Sequence, residues 1–548
     1  MKPGQWGWNR WVSVALVLVG WAVRLPPLLD NRFHADEALY AYWGLLIGRC
    51  QDVWLATVPV DKPPLHPYLV AGAQALFGNS EFAVRIPGLM AGLLMIPLAA
   101  ALSDALYGNR WAALGAAVGV ALSPFAILFS ATAFTDPVMA TLGLGSCLAA
   151  ARGRRGWAGM LGGLAFATKQ TGLAWVPLAV GVAGISNSKL QTPKLKGPKS
   201  QVQSPRSESP ISSLQSPVSN HRSLVIGHWS FFVGHWSFFL GFLLVLGGTF
   251  FWDYVRMAQG AQSFWSRGVV AYGSLRPIWP QELWTRLRGW IDLAGTFFVS
   301  PVVSGVLLVG LPALMWSAVA RRRYTRGALA DLLLGSFLLL YLLFHWLWAF
   351  PVWDRYLLPL VPLLAILLGR ILSLFASCAG QMSYVLRPAS CVLRPVSYVL
   401  RHFPFVICHL SLVIFLILPA WHAAHSGYPV GGDHGAYDGI DQVAAFLREL
   451  PEGTVVYHHW LGWHYAAYLF DAPVYLAYWP SPAWLARDVR AFGTKEPRYI
   501  TIPSWESPAR MTSALASVGY ELLPVLATNH RDGTRSFTVY HIQPRPDP

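Results

Sequence analysis

The sequence predicts a mainly α, polytopic membrane protein of about ten transmembrane helices that ends in a water-soluble α/β domain. Three observations carry that reading. Hydrophobic residues make up 54% of the 548 and charged residues only 12%, about half the charge of an ordinary soluble domain. The apolar residues come in runs of about twenty, long enough to cross a hydrocarbon core, at 11–29, 85–103, 111–130, 297–319 and 354–377. The positive charge is confined to short loops. Residues 425–548 hold 12 acidic and 9 basic side chains, so the net charge of +15 arises entirely upstream of them. Such a distribution reads as membrane topology, not as nucleic-acid binding.

Taken in order, the first run leads straight into Arg24-Leu25-Pro26-Pro27 with no small-residue cleavage site, so it reads as a span and not as a removable signal. Four loop regions rich in Arg or Lys lie at 152–155, 189–222, 321–326 and 387–401. The positive-inside rule assigns all of them, with Lys2 and Arg10, to the cytoplasm. Residues 30–82 then fall outside, spans 83–106, 111–130 and 135–151 alternate, and Arg152 returns inside. One crossing by 157–185 would put the later basic loops on the wrong side. Its two apolar halves flank Thr168-Lys169-Gln170-Thr171-Gly172, so it is expected to be a broken, hairpin-like pair with both ends cytoplasmic, covered by protein. Spans at 224–250, 297–320, 328–350, 354–377 and 404–422 follow.

This arrangement divides the chain into a membrane domain, 1–424, and an extracytoplasmic domain, 425–548. Residues 187–223, rich in Ser, Pro, Gln and Lys, are expected to be a disordered linker, and 378–403 a second low-complexity segment. The second contains three tandem heptads beginning at Ser383, Ser390 and Ser397, and two more begin at Gly227 and Gly234. They are too few and too short for a solenoid and read as neutral duplications. In 425–548, helical patterns near 438–450, 482–491 and 507–517 alternate with strand-like 454–457, 474–478 and 499–502. A closing hairpin, 521–528 and 536–543, turns at Arg531-Asp532-Gly533-Thr534. None of the five cysteines lies there, and no metal-ligand spacing occurs among them. His458-His459-Trp460 with Trp463-His464 lacks an acidic partner at useful spacing, and reads as a strand end and aromatic core more readily than as a metal site.

Charges at or near membrane depth are costly and need a reason. The densest set is in the first outer loop, His34-Ala35-Asp36-Glu37 and then Asp61-Lys62-Pro63-Pro64. A carboxylate there can deprotonate a hydroxyl or hold a divalent metal, and Lys62 can neutralise a phosphate leaving group. Taken alone, an Asp-Glu pair reads as interfacial charge facing water. Leu65 to Phe77 is too short to span and is expected to lie along the outer surface. Asp136, before Pro137, fits a helix N-cap, a role compatible with catalysis. The stretch from Trp252-Asp253 to Arg276 is expected to be a loop over this site.

Together, Asp36-Glu37, Asp61 to Tyr68, Phe77 to Pro87, Ser123-Pro124, Thr135-Asp136-Pro137, Thr168-Lys169 and Asp354 to Pro359 resemble the protein O-mannosyltransferase and aminoarabinose-transferase superfamily, over roughly 10–377. The resemblance implies a GT-C fold and a dolichyl- or polyprenyl-phosphate-sugar-dependent glycosyltransferase of the cytoplasmic membrane. Such an enzyme would pass a hexose or pentose, with inversion, to a protein, lipid or glycan acceptor on the outer face. By position, Asp36 would be the catalytic base or acceptor-binding carboxylate, with Glu37 beside it, and Asp136 would complete the polar site. Lys62, with Arg355 and Tyr356, would contact the donor phosphate, although Arg355 and Tyr356 also fit an interfacial anchor. Asp61 stands where aminoarabinose transferases carry a metal-binding glutamate. No cofactor is required, and a divalent metal is left open. The rivals are a flippase for the lipid-linked sugar, which predicts mid-span charges and inverted repeats, and a non-catalytic sugar-binding receptor. The charges cluster instead at the outer ends of the spans, in the first membrane loop.

Overall fold

The computed structural model describes residues 6–187, 221–272, 276–320, 325–385 and 394–546. The linker expected over 187–223 lies almost entirely outside these residues, and the heptads of 383–403 lie partly outside them. Helix α1 (Trp6–Asp30) leads to two short helices, α2 (Ala35–Gly48) and α3 (Leu65–Phe77), and then to α4 (Glu81–Tyr107). Next come α5 (Arg110–Leu122), α6 (Pro124–Ser130), α7 (Thr135–Ala151), α8 (Arg155–Thr168) and α9 (Trp175–Asn187). The second half holds α10 (His221–Ala258), short α11 (Phe264–Ala271) and α12 (Leu283–Ala294), and then α13 (Pro301–Val319), α14 (Arg326–Leu347), α15 (Leu360–Val385) and α16 (Arg394–Ala424).

Among the described residues, seven helices are long and apolar enough to cross a membrane, and α5 with α6 makes an eighth. The other places predicted from the sequence are filled by α7, of 17 residues, and by α8 with α9, of 14 and 13. The expected span 111–130 is broken: α5 and α6 meet at 56°. Pro124 removes one backbone donor at the break. The Arg24 guanidinium, wholly buried in α1, donates to the carbonyls of Val120 (3.1 Å) and Ala121 (3.0 Å). Ser123 accepts from the Ala126 N–H and donates to the Phe297 carbonyl.

The pair α8 and α9 turns back on itself as expected. Gly162 of α8 lies beside Val176, and Trp175 packs flat on Gly143 of α7, where no Cβ would fit. The pair starts beside Arg152 and ends where Arg326 reaches Ser186 (3.2 Å), while its turn lies beside Asp136. The bundle therefore has one basic end and one end rich in acid–cation pairs. Helices α4 and α15 are mostly buried. Outer helices present Leu240, Leu244, Leu308, Trp316, Leu410 and Leu418 outward, as lipid-facing surfaces do.

After α16 come α17 (Ile440–Arg448), β1 (Val455–His458), α18 (Gly462–Tyr468), β2 (Tyr475–Tyr478), α19 (Pro482–Phe492), β3 (Arg498–Pro503), α20 (Ala509–Ala516), β4 (Tyr520–Asn529) and β5 (Arg535–Pro544). The sheet order is β2-β1-β3-β5-β4. Strands β1, β2 and β3 are parallel, joined by helical crossovers, and the β4–β5 hairpin pairs antiparallel to β3. Apolar faces of α17 and α19 pack on Val456, Tyr457, Ile500 and Val539. The sequence pattern missed α18, a helix of about two turns that buries His464, Tyr465 and Ala467.

Candidate active site

The polar end of the bundle is built outward from the start of α2. His34 caps that helix: its Nδ1 accepts from the Asp36 N–H (3.1 Å), and Glu37 accepts from the His34 N–H (2.9 Å). Consecutive helical residues point about 100° apart, and this separates the two carboxylates. The Glu37 side chain is 0% exposed. It takes two hydrogen bonds from Arg85, at 2.8 and 2.9 Å, and one from the Ala133 N–H. Arg85 also donates to the carbonyls of Leu28, Asn31 and Arg32. Glu37, expected beside the catalytic carboxylate, is thus sealed into a structural clasp. Asp36 is 34% exposed and faces the open side, where its partner is Arg355. Burial pushes the Asp36 carboxyl up, but the charge and hydrogen bond of Arg355, helped by His34 and Lys62, outweigh it and hold it below its ordinary range.

Two further acid–cation pairs adjoin this one. The buried Lys62 ammonium meets both the Asp61 carboxylate and the Tyr272 hydroxyl, and Tyr272 donates to Asp61 (2.7 Å). Burial lowers the Lys62 pKa, partly offset by Asp61. Asp136, in the first turn of α7, accepts from Lys169 (2.7 Å) at the α8–α9 turn. The Lys169 ammonium lies 4.6 Å from the centre of the Tyr356 ring. Trp353 joins the three pairs. Its ring lies 4.2 Å from the Arg355 guanidinium, edge-on to Tyr272 at 5.7 Å and parallel to Tyr356 at 6.0 Å.

The structure therefore brings Asp36, Asp61, Lys62, Asp136, Arg355 and Tyr356 together and sets Glu37 apart. The sequence reading assigned no role to Lys169, and it passed over Tyr272 and Trp353. Lys169 carried a signal, a lone cation at a helix break, whereas Tyr272 is 210 positions from Lys62 and carried none. Arg256, in the expected covering loop, is a tether: it is buried, paired with Asp253 and donates to the Leu55 carbonyl. The residues at Asp61 do not fit a divalent ion. Its carboxylate is bracketed by an ammonium and a phenol, and the described residues hold no group of three or more His, Cys, Asp or Glu side chains able to bind a metal.

From this cluster an apolar groove of about 540 Å³ runs between α9, α11 and α14. Lys169, Tyr272 and Tyr356 form its head, and Val176, Phe344 and Phe350 line its length. The arrangement presents the Lys169 ammonium and two tyrosines at the head of a slot suited to a hydrocarbon chain.

A family model described as dolichyl-phosphate-mannose-protein mannosyltransferase matches residues 61–199. Among curated proteins no sequence match is found. The chain is similar to the crystal structure of ArnT from Cupriavidus metallidurans bound to undecaprenyl phosphate, with a TM-score of 0.62 and 17% identity over 98% of each chain. It is also similar to the apo structure of that protein, with a TM-score of 0.60 and 17% identity over 97% of this chain and 98% of that one. The resemblance carried by the motifs thus extends to the architecture, and the chain is a mainly α polytopic membrane protein with an ArnT-like GT-C fold.

Proposed function

We propose that the chain is a glycosyltransferase of the cytoplasmic membrane that takes a sugar from a polyprenyl-phosphate carrier and passes it, with inversion, to an acceptor on the extracytoplasmic face. The observation that carries this reading is the apolar groove headed by Lys169, the partner of Asp136, and by Tyr272, which bonds both Asp61 and Lys62. A carrier needs both, a dry slot for its chain and fixed cations for its phosphate. The solved ArnT complex with undecaprenyl phosphate, a protein of like fold, supports the same donor class.

In the proposed reaction the acceptor oxygen attacks the anomeric carbon on the face opposite the phosphate. As that bond forms, the bond from carbon to phosphate oxygen breaks and its electron pair leaves with the phosphate. Asp36, the site carboxylate beside Arg355 and open to one side, takes the acceptor proton. Lys62 and Arg355 neutralise the charge developing on the phosphate, and Tyr356 flanks it. Asp136 and Lys169 together offer an acceptor and a donor to sugar hydroxyls. Arg152, Arg154, Arg155 and Arg326 at the far end of the bundle support a cytoplasmic N-terminus, with the domain 425–548 outside.

The test is release of polyprenyl phosphate from polyprenyl-phosphate hexoses by the purified protein, with membrane extract supplying acceptors. Wild type is expected to release it, and Asp36→Asn, at equal folded yield, to release at least about a hundredfold less. Equal release by both would remove Asp36 from the base role. No release by either, across several sugars, would count against the whole reading.

A further inference from the structure

We infer that α18 of the C-terminal region is a positioning element for the base, with His464 and Tyr468 holding the turn that carries Asp36 in register with Arg355. The inference rests on the glycosyl-transfer reading above. His464 and Tyr468 are four residues apart and share one face of α18. The buried His464 ring, covered by Tyr437 at 4.2 Å, bonds through Nε2 to the Phe33 carbonyl (2.9 Å). Burial lowers its pKa to about 4, so the ring is neutral at working pH and this nitrogen donates. The Tyr468 hydroxyl donates to Glu81, and its ring packs on Phe33 at 5.4 Å.

The grip continues on both sides. Glu81 also meets Arg32 (3.3 Å) and Arg85 (3.6 Å), and Arg85 clasps Glu37. Arg32 reaches Asp441 (3.4 Å) of α17. Arg531, in the β4–β5 turn, donates to the Asp30 carbonyl (2.6 Å) and to Asn31 (3.0 Å). Residues 30–37 are therefore held by α4 on one side and on the other by the C-terminal side chains of Ser426, Asp441, His464, Tyr468 and Arg531. The opposite partner is held from the same region: the Gly431 N–H donates to Asp354 (2.8 Å), the neighbour of Arg355. Both halves of the Asp36–Arg355 pair thus take their place from residues beyond 425. These side chains act through the backbone of 30–37 and 354–355, which makes them positioning residues.

Loosening the turn weakens the Arg355 contact and leaves burial unopposed, so the Asp36 carboxyl titrates higher. The other groups facing it, His34 and Lys62 with Tyr40, Tyr356 and Tyr437 close by, are common to all the variants below. The experiment compares full-length wild type, His464→Ala, His464→Gln and Tyr468→Phe in the polyprenyl phosphate release assay, as kcat and donor KM across pH. His464→Ala and Tyr468→Phe are expected to lose about tenfold or more in kcat, as small misplacements of a reacting group do. Donor KM should stay near wild type and the acid limb should move to higher pH. His464→Gln, which keeps an N–H within reach, should recover part of the loss. Wild-type kcat and acid limb in variants that melt normally would overturn the inference. So would a loss confined to KM, or one that only tracks the folded fraction. If His464→Ala does not fold, Tyr468→Phe decides alone. No release by wild type would instead remove the underlying reading, an outcome distinct from the others.

Discussion

Asp36 and Glu37 are neighbours in sequence, yet one is a third exposed and the other is walled in by Arg85, Ala133 and His34. Removing charge from each therefore has a different effect. Glu37→Gln removes the nearer counter-charge of the buried Arg85 guanidinium and leaves it only Glu81 at 3.6 Å, a loss expected to cost about 3 kcal/mol. It should appear in thermal melting and folded yield. Asp36→Asn should melt close to wild type and fail in catalysis. A pair of melting curves separates the two roles, and equal destabilisation by both would contradict the division. The short motifs made Asp36, Lys62, Asp136 and Arg355 legible as a set, because each sits in a polar stretch where the chain should be apolar. Their partners were not legible. Arg355 is 319 positions from Asp36, and Lys169 is 33 from Asp136. Local pattern cannot encode such contacts, nor that Glu37 would be turned away from the site.

Hydrophobic runs gave the long helices almost in full, since length and apolarity are what a bilayer demands. The breaks were harder to read. Residues 111–130 look like one span, although Ser123-Pro124 marks the bend between α5 and α6. That bend is tenable because Arg24 satisfies carbonyls at the end of α5. Arg24→Met should leave these acceptors buried without a partner, at about 1–3 kcal/mol each, lowering the melting temperature in detergent. No change in melting would mean that the bend is held by other contacts. Short α2 and α18 escaped notice because each is buried on most sides and lacks a period. The capping box of His34 and Glu37 was the available sign of α2.

Over the molecule as a whole, the fold class was readable from composition and charge placement, but the groove was not. Its walls come from α9, α11 and α14, which only tertiary packing brings together. A ligand with a long apolar chain and a phosphate should bind the resting protein. At a hundredfold excess over its Kd, polyprenyl phosphate should stabilise the fold by about 2.7 kcal/mol, and polyprenol lacking the phosphate should do so less. Gly268 lines the groove, and a Cβ there would already lie 3.0 Å from Gln170. Gly268→Leu is therefore expected to raise donor KM several-fold with a smaller effect on kcat. An unchanged KM would place the chain elsewhere.

The turn-back of α8 and α9 has a consequence for biosynthesis. Asp36, Asp61, Lys62 and Asp136 precede the hairpin, whereas Tyr272, Trp353, Arg355 and the whole C-terminal region follow it. Were the insertion machinery to thread 155–187 through the bilayer once, each later segment would be delivered upside down. The acids and the cation of the early loops would then face one compartment, and Arg355 with its aromatic neighbours the other. On the proposed topology these two short helices act as a parity element, and the Asp36–Arg355 and Lys62–Tyr272 contacts form only where the ribosome-bound chain turns back there.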